Sequence, residues 1–180
     1  MGKGVHVFFK DEKIVYPGHG VARISRIVEK KIGNETVKFY ELAFLHKDMT
    51  ILIPMKTISQ AGIRRLTSVQ NIKKMLQSLA FSEKKDIKDL TPINWGKRNK
   101  EYHVRLRSGD LQEIGNVYQE LLSIAQHKEL SFGEKKFLKQ TEALLAQEIS
   151  IVNKLEEGKA VEYLREVFKR SLNKPIASHV

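Results

Sequence analysis

The sequence predicts an α+β protein, β first and α second: a small β barrel over residues 1–67, then an all-α bundle of about five helices over residues 68–180. Three observations carry this. Before about residue 66, short runs of β-branched and aromatic residues are punctuated by Gly, Pro and Asn turns. After residue 68 the apolar residues recur every three or four positions, the helical period. A chain of 180 residues with 41% hydrophobic side chains suits two small domains, each with its own core.

The elements follow in order. Lys13-Ile14-Val15-Tyr16 reads as a strand ended by the turn cluster Pro17-Gly18-His19-Gly20. Residues 21–28 form the next strand, with Arg23, Ser25 and Arg26 outward. Gly33-Asn34 makes a two-residue hairpin turn into residues 37–44. Residues 49–54 and 62–66 supply two more short strands, as in a barrel of the SH3 or Tudor type. Ser68 then caps a helix whose Val69, Ile72, Met75, Leu76 and Leu79 face inward. Residues 82–92 are a charged connection, and Asn94 caps a helix running to about Arg107. Gly109 stops that helix, and Asp110 with Glu113 has the spacing of a capping box for the next. That helix turns Leu111, Ile114, Val117, Tyr118, Leu121 and Leu122 inward. Ser131-x-x-Glu134 opens a long helix, Gly158 is expected to break it, and a short terminal helix carries Val161, Leu164, Val167 and Phe168. Residues 175–180 should fray.

Several chemistries lack their residues. No run approaches the ~18 apolar residues of a membrane span. The N-terminus has no apolar signal region, and His6 stands where a myristoylation signal needs Ser or Thr. There is no cysteine, so disulfides, thiolate chemistry and Cys-type zinc sites are excluded. No Gly-rich phosphate loop or nucleophile elbow occurs, and no two histidines are three or four residues apart. Glu148, Glu156 and Glu157 read as solvated helix charges. The expectation is a cytoplasmic monomer that is not an enzyme, with no cofactor, metal or small-molecule substrate and no membrane contact.

The net charge of +11 is unevenly placed. Residues 1–70 and 71–107 each carry a net +6, whereas residues 108–180 carry −1. A local basic excess suits a polyanion, because neutralised phosphates release condensed counterions. The densest segment, Asn94-Trp95-Gly96-Lys97-Arg98-Asn99-Lys100, holds the lone tryptophan. At 100° per residue, Trp95, Tyr102 and Leu106 share one side of a helix, and Lys97, Lys100 and Arg107 group on the other around Val104. Two readings stand. Trp95 anchors the helix to the core and the cations are its wet face. Alternatively Trp95, in the first turn beside Gly96, wedges against a distorted base step while the cations hold phosphates.

Phe9-Lys10, Val15-Tyr16-Pro17-Gly18-His19-Gly20-Val21, the Asn94-Trp95 basic segment, Leu106-x-Ser108-Gly109-Asp110 and Leu130-Ser131-x-Gly133-Glu134-Lys135-x-x-Leu138 follow one another in the order found in a known family. On these motifs the chain resembles the CarD/CdnL family of bacterial transcription regulators. The resemblance implies a Tudor-like N-terminal domain that binds the lobe of the RNA polymerase β subunit. It also implies a helical domain that contacts promoter DNA at the upstream fork of the bubble and stabilises the open complex, bringing the protein to the nucleoid. The family's DNA-contacting positions fall on Asn94, Trp95, Lys97, Arg98 and Lys100. Its polymerase contacts fall on Lys30, Ile32 and Leu52, the last a departure from the basic residue usual there. Strand alternation leaves Leu52 either a contact or a core residue. A free-standing architectural nucleic-acid binder and a protein adaptor without DNA contact are the competing functions.

Overall fold

A computed structural model describes residues 7–81 and 95–172. The chain divides between Leu66 and Thr67 into two compact units, one a barrel-like sheet domain and the other helical. The expected helix cap Asn94, the connection 82–92 and the C-terminal residues 175–180 lie outside the described residues.

In the first unit five strands, β1 (Lys13–Tyr16), β2 (Gly20–Ile32), β3 (Glu35–Phe44), β4 (Thr50–Pro54) and β5 (Arg64–Arg65), form one antiparallel sheet in the order β4-β3-β2-β1-β5. Gly33 turns β2 into β3 with φ +59°, which a two-residue hairpin with glycine at its first central position requires. Two features escape the residue pattern. The β2–β3 hairpin pairs as far as Ile32↔Glu35, beyond the expected strand end at Val28. A bulge at Ser25 separates Ile24↔Leu42 from Arg26↔Glu41. The Ser25 hydroxyl donates to the Glu41 carbonyl at 3.1 Å and to its carboxylate at 2.8 Å, which occupies the unpaired residue's polar group. The core packs Ile14, Ala22, Ile24, Tyr40, Leu42, Phe44 and Ile53 of the sheet against Phe8, Ile58 and Ile63.

The helical unit contains α1 (Val69–Phe81), α2 (Trp95–Ser108), α3 (Leu111–Ala125), α4 (Phe132–Asn153) and α5 (Glu157–Leu172). Ser68 caps α1, its hydroxyl accepting from the Asn71 N–H at 3.2 Å. Ile72, Met75, Leu76 and Leu79 are buried as their spacing demands, but Val69 is exposed because it occupies the first turn, short of the bundle. Asp110 caps α3 by accepting from the N–H groups of Gln112 and Glu113 at 2.7 and 3.3 Å. The expected box is incomplete there, because the Glu113 carboxylate turns to Arg105 at 2.7 Å. At Ser131 the box is complete: Ser131 Oγ accepts from the Glu134 N–H, and the Glu134 carboxylate accepts from the Ser131 N–H at 2.8 Å.

Two other expectations are corrected. The long helix stops at Lys154, which adopts φ +54° and lets the Leu155 N–H reach the Ser150 carbonyl at 2.8 Å. Gly158 is inside the first turn of α5, which runs for 16 residues and so is not short. Glu148 is not a solvated charge. It is 1% exposed, and its carboxylate accepts from the Thr67 N–H at 2.7 Å. The core of this unit joins all five helices, with Leu79, Leu106, Val117, Leu121, Leu145, Ile149, Leu164 and Phe168 at its centre. No described helix is long and apolar enough to cross a membrane.

Candidate binding faces

The pattern around Trp95 divides α2 as the wheel requires. Tyr102 and Leu106 are buried, and Lys97, Lys100, Val104 and Arg107 are exposed. Trp95 itself is half-buried and packs on the core. Its ring stands edge-on to Tyr102 and Phe137, with centroids 6.4 and 5.8 Å away, arrangements that favour the aromatic quadrupole. The His103 ring also stands edge-on to Phe137, with centroids 4.8 Å apart. The indole lies against the first turn of α4, where position 133 has no side chain. A Cβ on Gly133 would fall 2.7 Å from Cζ2 of Trp95 and 3.0 Å from Cε2 and Nε1. The ring is therefore packed against Gly133, Tyr102 and Phe137, and the side chain as a whole is half-buried.

Arg98 departs from its expected role as a phosphate contact. It is 4% exposed and pairs with Glu134 of the α4 capping box. One position past Lys97 rotates a side chain by 100°, which carries Arg98 from the wet face onto α4. The Glu134 carboxylate also takes the Ser131 N–H at 2.8 Å and the Lys128 ammonium at 3.3 Å. Burial pushes its pKa up, but the Ser131 bonds and Lys128 outweigh burial and hold it below the ordinary 4.5. Removing one partner from an isolated buried ion pair costs about 3–5 kcal/mol, and Lys128 and the Ser131 N–H, which Glu134 keeps, lessen that cost here. Arg98 thus positions α2, and through it Trp95, on the start of α4. Its guanidinium also lies 5.9 Å from the Trp95 ring centroid. Farther along α2, Arg105 is held by Glu113 and Glu120 at 2.7 and 3.1 Å. Lys97, Lys100 and Arg107 are in no ion pair with another described residue.

In the sheet domain, opposed residues of an antiparallel ladder share a face and neighbours alternate. Tyr40↔Ile53 and Ile24↔Leu42 mark the core face. The other face carries Ile32↔Glu35, Lys30↔Val37, Val28↔Phe39 and Glu41↔Leu52. Lys30, Ile32 and Leu52 therefore project from one side, although Leu52 stands two strands from the others. Ile32 is 57% exposed and Leu52 36%, which removes the core alternative for Leu52.

The helical period places Trp95, Lys97 and Lys100 on one helix but carries no sign of what holds the ring. Gly133, Phe137 and Glu134 come from a segment more than 30 residues away. The Ser-x-x-Glu signal marked that segment as a helix start, but nothing local pointed it at Trp95. Asn94 falls outside the described residues.

The family model "CarD, C-terminal domain" matches residues 74–165. The model "CarD-like/TRCF RID domain" matches residues 8–67. A relative, YdeB of Bacillus subtilis (strain 168), provisionally named a transcription factor, is 27% identical over 146 residues, covering 81% of this chain and 92% of its own.

Proposed function

From the fact that the chain belongs to the CarD/CdnL family of transcription regulators, we propose that it acts at transcription initiation, joining RNA polymerase to the edge of the melted promoter. The sheet domain docks on the β-subunit lobe through the face bearing Lys30, Ile32 and Leu52. The helical unit meets DNA at the upstream fork, where the exposed part of Trp95 lies in the minor groove. Lys97, Lys100 and Asn94, the residue before Trp95 in sequence, contact phosphates, and Arg98 acts by positioning the ring.

The tether raises the effective concentration of the helical unit at the fork, so its own DNA affinity need only be weak. Preferential contact with the open state worth ~1.4 kcal/mol shifts the closed–open equilibrium about tenfold. Recognition through phosphates and a wedged ring reads junction shape rather than base sequence.

The observation that carries this reading is a single half-buried indole packed against Gly133, Tyr102 and Phe137, with Lys97 and Lys100 exposed in the same stretch of helix. A ring already immobilised loses little entropy on meeting a base step. The test is the lifetime of open promoter complexes with polymerase from the same source, with and without the protein and its Trp95→Ala variant. Longer life with wild type, lost in a folded Trp95→Ala, is expected. No effect of wild type on several promoters refutes the proposal.

The core contacts of Trp95 also favour the adaptor reading, in which the ring only anchors α2. That reading expects Trp95→Ala to unfold the helical unit, and Lys97→Ala and Lys100→Ala to leave open-complex lifetimes unchanged.

A further inference from the structure

Next to the glycine that receives Trp95 stands a second aromatic with no core role. Phe132, the first residue of α4, is 86% exposed, more than any other large hydrophobic side chain described. Gly133, its neighbour, carries the Trp95 ring, so the two aromatics flank one backbone turn. The capping box of Ser131 and Glu134 fixes that turn, and the Glu134–Arg98 pair ties it to α2. Lys128, Lys135 and Lys136, within four residues of Phe132 in sequence, are exposed, and so are Lys97 and Lys100 on α2. Of the nearby carboxylates, Glu134 is buried in its pair with Arg98 and also takes Lys128 at 3.3 Å, and Glu129 pairs with Lys135 at 2.7 Å, which leaves Lys136, Lys97 and Lys100 as the cations without a carboxylate among the described residues.

We propose that Phe132 is a second nucleic-acid contact of this face, a platform on which an unpaired base at the fork stacks beside Trp95. The inference rests on the fork reading of Trp95 and extends it to the melted strand. The charge around the ring decides the occupant. An exposed phenyl set among lysines suits a polyanion that also offers π-faces, which single-stranded DNA does. An apolar protein surface would have to bring its own acidic rim. Aromatic stacking tolerates any base, so Phe132 adds affinity for the open strand without adding sequence preference.

The experiment compares open-complex lifetimes for wild type and for Phe132→Ala, Phe132→Leu and Phe132→Trp, alongside Lys97→Ala/Lys100→Ala. A parallel series removes single bases at the upstream fork, one abasic site at a time. Loss of one stacked base is worth at least about a fivefold change. Phe132→Ala and Phe132→Leu are expected to shorten the lifetime by that factor, with unchanged thermal melts. Phe132→Trp is expected to keep it, and one abasic position should lower the wild-type lifetime without further lowering that of Phe132→Leu. Wild-type lifetimes for Phe132→Leu overturn the proposal, since an apolar protein contact would explain them. Wild-type lifetimes for Phe132→Ala beside shortened ones for the double lysine variant overturn it too, while leaving the Trp95 reading intact. If the lysine variant also matches wild type, the fork reading itself falls.

Discussion

Replacing Gly133 by alanine separates what the backbone prefers from what the tertiary contact demands. The φ of Gly133 is not among the positive values, so alanine fits its backbone, and in a helix alanine is favoured over glycine by about 0.5–1 kcal/mol. The new methyl would lie 2.7 Å from Cζ2 of Trp95, whereas carbons pack at about 3.5–4 Å, so the indole must shift by roughly 1 Å. Tyr102 and Phe137 block the inward side. The ring must therefore move toward solvent, and overpacking of this kind costs about 1–3 kcal/mol. Gly133→Ala should change stability by between zero and about −2 kcal/mol. In a Trp95→Ala background the clash is absent, and the same change should stabilise by up to about 1 kcal/mol. The coupling between the two sites is then about 1–3 kcal/mol in a double-mutant cycle read by urea melts. Because Trp95 is the lone tryptophan, its emission reports the ring directly and should shift to the red and become easier to quench in Gly133→Ala. An alanine variant more stable by about 1 kcal/mol with wild-type emission would refute the packing argument.

Three further outcomes are expected. Arg98→Ala should destabilise the helical unit by up to about 3 kcal/mol, because buried Glu134 then keeps only Lys128 and the Ser131 N–H as partners. Lys97→Ala and Lys100→Ala should instead move melts by less than about 0.5 kcal/mol, yet each lower the salt dependence of DNA binding by about one counterion. Glu134 is held below 4.5 as described, and Glu142 is lowered by hydrogen bonds from Arg165 at 2.7 and 2.8 Å despite its burial. A depressed folded pKa gives stability that is full above the unfolded value and lost as pH falls through the folded one. The urea midpoint should therefore drop below about pH 4.5, with a shallower slope in Glu142→Gln. In the sheet domain, Lys30→Glu and Ile32→Ala sit on an exposed hairpin and should leave melts unchanged while weakening capture by the polymerase β lobe. A matching loss of stability would mean that the hairpin serves the fold instead.

What the residues determine alone is what a few neighbours settle. Gly33 makes its turn because the hairpin needs positive φ there, and Ser68 and Ser131 start helices by bonding N–H groups three residues ahead. The β-then-α order follows from a switch in apolar period, and the family likeness from short motifs read in order. The misreadings are of another kind. Glu148 was indistinguishable from a surface carboxylate until Thr67, 81 residues away in sequence, donated to it. Arg98 looked like its lysine neighbours until Glu134, 36 residues on, took its charge. Leu52 had either face open to it until its register with Glu41 set the side. Ser25 escaped because a bulge shows only when two strands are paired. Trp95 combines both kinds: its place on α2 is written in the helical period, but the packing that leaves it half-buried needs Gly133 from another helix. Local backbone preferences act through the next few residues, so the chain spells them out. Burial and charge pairing act through distance in space, and only the folded chain decides which side chains meet.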